Sequence, residues 1–430
     1  RLPLTVELYQ WQIRQMEEAG VGDRSVAIRH ASRTKSLANV EKRSRGQLQG
    51  LQRSQIVEQR LQQESELQSF IAADEVLRQK CGSVLRDIAA VYAEMESAGP
   101  LEIHLQQLRQ ACRAAAFGFA VVDAVHERAK PDIERESPWM DRNYAQSVQE
   151  LKVSLRDWHP PTDVEMLSGM LRRLSSIPGA RQIPALIPLT ESEQICEQAA
   201  KRLIEGTRLG DAGFIEQSLG QTVDQLRATK DPLLTLLLDL YPSYLQLREL
   251  DKTREGRLSR LYGSLLEVKE QFLRTGFIPD ANGTLRFTSG RVRAYSPADA
   301  VVRTPISTLR GVIENTTGHD PFITPEPVLR AYGARDFAGF LHPRLGQVPV
   351  AILYDTDTTG GNSGSPVLNS KGELVGVNFD RCFEATINDF AWNADYSRSI
   401  GVDIRYVLWI TGRVYGATQL LDEMGVALAE

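Results

Sequence analysis

The spacing of apolar residues divides the chain into two stretches of different character. From about Ser25 to Gly276 the pattern is helical, with polar positions rich in Gln, Arg and Glu. Leu67, Phe70, Leu77, Cys81, Leu85, Ile88, Tyr92 and Met95 recur at steps of three, four or seven, the stripe of an amphipathic helix. The spacing predicts further helices over residues 101–129, 143–158 and 233–276. Breakers stand between them: "SAGP" before Leu101, "HPP" at His159 to Pro161, and "SIPGARQIPALIP" from Ser176. Short breaks between long amphipathic helices imply a bundle or array. The Gln/Arg-rich stretch from Lys42 to Gln63 reads as a solvated helix face.

After "FIPDANGTLRF" the period shortens, and Asn282-Gly283 is a turn signal that opens a segment of strand-like runs. "LRFTSGRVRAY", "VPVAILYD", "SPVLN", "ELVGVNF" and "RSIGVDIRYV" alternate or cluster β-formers, with Gly and Pro between them. They predict part of a β-barrel or sandwich. From Tyr406 to Leu428 the spacing returns to helical and closes the segment.

Composition changes this picture little. The 430 residues exceed one ordinary core and suggest two or three domains. A net charge of −5, from 55 acidic and 50 basic side chains, is too mild and too mixed to point to nucleic acid or a membrane. No apolar run approaches the ~18 residues that span a bilayer. Cys81, Cys112, Cys196 and Cys382 form no C-x-x-C pair and have no histidine at metal spacing, so neither metal nor cofactor is expected. Cys81 and Cys112 fall on helical stripes, where a buried thiol is the expectation.

Chemistry concentrates in "GGNSGSPV", residues 360–367. A serine nucleophile needs an exposed hydroxyl and nearby backbone N–H groups for the oxyanion of a tetrahedral intermediate. Glycines on both sides of Ser363 permit that close-approaching backbone. A Gly/Ser/Asn cluster between strands is also an ordinary turn, and the bare residues leave both readings open. The strand, G-x-S-G-x-P, strand context resembles the nucleophile loop of chymotrypsin-fold serine peptidases. That resemblance makes Ser363 the attacking group and the N–H groups of Gly361 and Ser363 its oxyanion hole. Asn362 stands where trypsin-like enzymes carry Asp, so activation by an ion pair to a freed N-terminus is not expected.

The base is harder to find. His30, His104, His126 and His159 lie in the helical stretch; His319 in "TTGHDP" and His342 in "FLHPRL" lie in the strand-rich one, neither in a context typical of a triad. The chain begins "RLPLTVELYQ", with no first barrel upstream, and the expectation is a C-terminal portion of a longer enzyme.

"GGNSGSPVLNSKGELVGVNFDRCFEA", "NADYSRSIGVDIRYVLWI" and "LLDEMG", with "HASRTKSLANVEK" in the helical stretch, resemble the bacterial periplasmic dipeptidyl-peptidases that carry a helical insertion in a chymotrypsin fold. Within them the resemblance is to the dipeptidyl-peptidase 11 branch, which removes dipeptides ending in Asp or Glu. It implies an α+β multidomain fold: a helical insertion over residues 1–275, then over 276–430 part of a double β-barrel with a C-terminal helix. The triad His and Asp would lie in an upstream part of the same enzyme. A periplasmic address, a homodimer, and peptide substrates with a free N-terminus follow from the same resemblance. Phe383, where relatives often have Trp, and Cys382, at a position usually polar, depart from the pattern.

The resemblance also assigns a pocket. Arg381 follows "ELVGVNFD", and its rigid fork of donors suits a carboxylate, so acidic selectivity is carried onto it. Asp380 supplies a carboxylate, and Asn39 of "SLANV" an amide oxygen, for the substrate ammonium. Each has a plainer alternative: Arg381 as a structural partner of Glu384 or Asp380, Asp380 as a turn or cap, and Asn39 as helix surface. At the level of the whole chain the alternatives are a glutamyl endopeptidase-like protease and an inactive helical scaffold.

Overall fold

The computed structural model describes residues 1–53, 55–277, 284–319, 321–337 and 339–426. The chain forms two compact units, one of Arg1–Arg45 with Arg60–Phe277, the other of Gly46–Gln59 with Ile278–Glu430. The fold is mostly helical, with two antiparallel sheets.

The helical unit is built on α1 (Leu2–Gly20), most of α2 (Arg24–Arg53), α3 (Ile56–Ala73), α4 (Glu75–Cys81), α5 (Val84–Ala111), α6 (Arg113–Arg128), α7 (Asp141–Ser154), α8 (Pro160–Ser175), α9 (Glu193–Gly206), α10 (Ala212–Leu219), α11 (Val223–Ala228) and α12 (Pro232–Leu273). Helix α1 lies upstream of the point where the helical pattern is read to begin, yet its Leu8, Trp11 and Met16 are core residues. The glutamine between them obscured the stripe: Gln12 is buried and donates to Gln107 at 2.8 Å.

The apolar stripe from Leu67 to Met95 is three helices rather than one. Asp74 ends α3 and caps α4, its carboxylate accepting the N–H of Val76 and Leu77 at 2.8 and 3.0 Å. The stripe still converges, because Leu67, Phe70, Leu77, Cys81, Leu85 and Ile88 pack with Leu261, Leu265, Val268 and Phe272. Tyr92 leaves it and is half exposed, its hydroxyl 2.8 Å from that of Tyr262.

The expected break at "SAGP" does not occur: Gly99 and Pro100 lie inside α5, and the interruption comes at Cys112. Tertiary contacts hold the helix across the proline. The buried Glu102 binds Arg254 at 2.6 Å and Arg1 at 3.1 Å, and the Tyr244 hydroxyl donates to the Leu105 carbonyl at 2.6 Å. The "HPP" and "SIPGARQIPALIP" breaks stand where the pattern puts them; Pro160 and Pro161 open α8, where their missing N–H groups cost nothing.

The second unit carries β1 (Tyr295–Ala298), β2 (Val301–Arg303), β3 (Ile306–Thr308), α13 (Leu309–Glu314), α14 (Glu326–Gly333), β4 (Pro349–Tyr354), β5 (Pro366–Leu368), β6 (Leu374–Arg381), β7 (Ser399–Asp403), α15 (Ile404–Trp409) and α16 (Thr418–Glu423). Strands β1 and β2 form a hairpin, and the others a five-stranded antiparallel sheet in the order β3-β4-β7-β6-β5. "LRFTSGRVRAY" is not the strand its composition suggests. Leu285 and Phe287 are 94% and 88% exposed, and one bridge, Val292 to Tyr354, precedes β1. The turn signal Asn282-Gly283 lies outside the described residues.

"RSIGVDIRYV" changes state midway, since the Asp403 carboxylate accepts the Arg405 N–H at 2.9 Å and caps α15. Behind the sheet, Leu309, Val328, Phe340, Val348 and Trp409 form a core whose indole N–H donates to the Asp336 carbonyl at 2.7 Å. The closing helical segment is interrupted by a π-helical turn, Ile410–Val414, before α16.

Candidate functional site

Ser363 lies in the loop between β4 and β5, close to the end of the latter's partner β6. Gly361 and Gly364 hold φ of +99° and +88°, the left-handed region that side chains resist, so both glycines are required by the turn. Asn362 closes it: its Oδ1 accepts the Thr359 N–H at 2.9 Å and its carbonyl accepts the Ser365 N–H at 3.1 Å.

A buried asparagine fastens this loop to the sheet. The Gly364 N–H donates to the Asn378 carbonyl at 2.8 Å, and the Asn378 N–H to the Ser365 carbonyl at 2.9 Å. The Asn378 side chain donates to the Asn362 carbonyl at 3.3 Å and accepts the Tyr354 hydroxyl at 2.6 Å. Burial of Tyr354 pushes its phenol up to about 12, so it stays a donor across the neutral range.

The pairing of β6 with β7 slips between Asn378 and Asp380, leaving Phe379 as the extra residue of a β-bulge. The bulge breaks the alternation of the pleat: Asn378 is buried while Phe379 and Asp380 are both exposed. The Phe379 carbonyl accepts the Ser363 hydroxyl at 3.3 Å. Ser363 is exposed, and among the described residues neither its N–H nor that of Gly361 donates a hydrogen bond. An exposed hydroxyl beside two uncommitted N–H groups is the arrangement that acyl transfer requires.

Arg381 ends β6 opposite Ser399. Its guanidinium holds Asp389, with Nη1 and Nη2 donating to Oδ1 at 3.2 and 3.1 Å and Nη2 also to Oδ2 at 3.3 Å. The plainer alternative for Arg381 names Glu384 or Asp380 as its structural partner. Glu384 instead accepts the Tyr295 hydroxyl at 2.8 Å, and Asp380 accepts the Arg381 backbone N–H at 2.8 Å. Asp389 also accepts the Gln47 side-chain N–H at 2.8 Å. Ser363, Gly361, Asp380 and Arg381 therefore belong to one unit and one end of one sheet, while Asn39 is an exposed residue of α2 in the helical unit.

Sequence reasoning missed Asn378, the Phe379 bulge, Asp389 and Gln47. Only one of these left a trace: "GQLQG", residues 46–50, places two glycines four apart on a helix, a sign of close approach on one face. The end of α2 is accordingly not a purely solvated surface. A Cβ on Gly46 would collide with Thr386, one on Gly50 would lie 2.8 Å from Ile387, and Gln47 is buried.

His319 makes only loop hydrogen bonds among the described residues, and His342 accepts the Arg344 N–H at 3.2 Å. Among the described residues no group of three or more His, Cys, Asp or Glu could hold a metal ion, and no helix is long and apolar enough to cross a membrane. The four cysteines are free and buried.

A Peptidase S46 family model matches residues 1–426. The chain belongs to the Peptidase S46 family. An Asp/Glu-specific dipeptidyl-peptidase of Shewanella putrefaciens is 28% identical to this S46 chain, over 98% of it and 60% of the relative. An Asp/Glu-specific dipeptidyl-peptidase of Porphyromonas gingivalis is 42% identical over 46% of the chain and 28% of the relative. The crystal structure of Porphyromonas endodontalis DPP11 in complex with dipeptide Arg-Glu shares the fold, with a TM-score of 0.80 at 22% identity, over 99% of this chain and 61% of that one. The S46 chain thus spans about three fifths of the length of the first relative and of that structure.

Proposed function

We propose that this chain is the nucleophile-bearing portion of a serine exopeptidase that releases N-terminal dipeptides with Asp or Glu as their second residue. The observation that carries the reading is the common placement of an exposed Ser363 hydroxyl, two uncommitted N–H groups and Arg381 around one bulged strand end.

In this reading Ser363 Oγ attacks the carbonyl of the substrate's second residue, and the N–H groups of Gly361 and Ser363 take the oxyanion. Such donors contribute about 3 kcal/mol each to the transition state. The amine of the remaining peptide leaves with a proton, the dipeptide stays as an ester on Ser363, and water releases it. Arg381 pairs with the acidic side chain of the second residue. Asp380 accepts a hydrogen bond from the substrate's ammonium, which makes the enzyme count from the amine; Asn39 enters this reading from the family resemblance alone.

The proton on Ser363 needs a base. We assign it to a histidine, backed by an aspartate, in the part of the family's length that this chain does not span. Residues 1–275 are then a helical insertion, and residues 276–430 the returning part of a chymotrypsin-like double β-barrel. A periplasmic homodimer rests on the family resemblance alone.

The decisive assay compares free-amine and amine-blocked fluorogenic peptides with Asp or Glu at the second position, using full-length enzyme. Only the free-amine peptide is expected to be cut, with Ser363→Ala abolishing the reaction. Cleavage of the blocked peptide would favour a glutamyl endopeptidase and exclude the exopeptidase.

A further inference from the structure

We infer that Asp389 and Gln47 are positioning residues that set the Arg381 guanidinium for selection of an acidic side chain. The inference rests on the reading of Arg381 given above and goes beyond it by saying which edge of the arginine meets the substrate. An arginine has five N–H donors in a flat fork. Asp389 takes the end of that fork, the edge shared by Nη1 and Nη2. Nε–H makes no hydrogen bond among the described residues, and with Nη2 it forms the side edge, which has the spacing of the two oxygens of a second carboxylate. Arg381 then sits between two carboxylates, one built in and one brought by the substrate.

The surroundings fix the built-in carboxylate. Gln47 Nε2 donates to Asp389 Oδ2 at 2.8 Å, leaving Oδ1 as the main acceptor for Arg381. Asp389 closes a 3₁₀ turn, Phe383–Asp389, whose Ala385, Thr386 and Ile387 are buried. Gly46 and Gly50 let the end of α2 approach that turn at Thr386 and Ile387, which carries Gln47 to Asp389. The arginine side chain is only 14% exposed and that of Asp389 21%. An arginine stem left to itself loses rotamer entropy on being ordered. Here it is ordered before substrate arrives. The negative charge of Asp389 opposes a second carboxylate, but the guanidinium lies on its path, and pre-alignment of the free edge outweighs the repulsion.

The test uses full-length enzyme and free-amine peptides with Glu or Gln as second residue. For Asp389→Ala the KM of the Glu peptide is expected to rise about tenfold, the loss of one charge-assisted anchor, with kcat within about twofold and the Gln peptide unaffected. Asp389→Asn, which keeps an acceptor and the shape, and Gln47→Ala, which removes the 2.8 Å hydrogen bond to the far oxygen, are each expected to raise it about threefold. They keep the question answerable if Asp389→Ala folds poorly. An unchanged KM for the Glu peptide overturns the inference. A lowered KM overturns it too, since Asp389 would then be a competitor for the fork rather than its support. Arg381→Ala separates this failure from that of the parent reading. If that variant still prefers Glu over Gln, the pocket assignment falls. If it loses the preference while the Asp389 variants behave as wild type, only the present inference falls.

Discussion

Asn378 shows how one buried residue can set the conformation of an exposed loop. Its backbone holds Gly364 and Ser365, and its side chain holds the Asn362 carbonyl and the Tyr354 hydroxyl, so the loop on both sides of Ser363 is registered against β6. Asn378→Leu fills the space and keeps the backbone bonds, but it leaves the Asn362 carbonyl and the Tyr354 hydroxyl without their side-chain partner. Leaving buried polar atoms unpaired costs about 1–3 kcal/mol, and a drop of that size in unfolding free energy is expected from urea titration, with a fall in kcat exceeding that of Tyr354→Phe. Equal effects of the two variants would mean that the Tyr354 hydroxyl, not the asparagine, holds the loop. Nothing in "ELVGVNF" announced this role, because an asparagine in a strand pattern reads as an outward residue. The exposed turn around Ser363, in contrast, was legible, because glycines on both sides of a serine between strand-like runs mark a turn, whereas a chemical role for the serine came from the resemblance.

Among the elements, helices betrayed themselves by stripes and strands by alternation, and both signals failed where a polar residue faces inward. Gln12 hid α1, and the glutamines around residue 47 made the end of α2 look solvated. Proline misled at Pro100, where ion pairs on Glu102 carry α5 past it. The glycine pair of α2 offers a direct check. In Gly50→Ala the new Cβ meets the branched Cβ and Cγ1 of Ile387 at 2.8 Å, neither of them a flexible tip, so overpacking of about 1–3 kcal/mol is expected. Gly263→Ala in α12, with open space around it, is expected to stabilise by about 0.5–1 kcal/mol. Chemical denaturation of both variants reads the difference, and a neutral Gly50→Ala would mean that the turn bearing Asp389 yields easily.

At the scale of the molecule, the change from helical to strand-rich character was plain in the periodicity of the chain. Grouping of residues 46–59 with the strand-bearing unit was not, since it depends on contacts between segments more than 300 residues apart, such as Gln47 with Asp389. In the proposed mechanism the 430 residues by themselves hydrolyse no free-amine Leu-Asp-type peptide, whereas the full-length enzyme does. Turnover by the isolated chain that His319→Ala or His342→Ala removes would place the base inside it and sink the assignment.

The bulge at Phe379 has a consequence for how such a site can change over generations. Upstream of it β6 obeys the pleat, and a substitution at Gly376 or Asn378 disturbs the sheet. Beyond it the strand is released from that alternation, and positions 380 and 381 answer to their polar neighbours rather than to an apolar core. In the proposed reading, selectivity can therefore drift at these two positions while the framework that holds Ser363 stays under separate constraint.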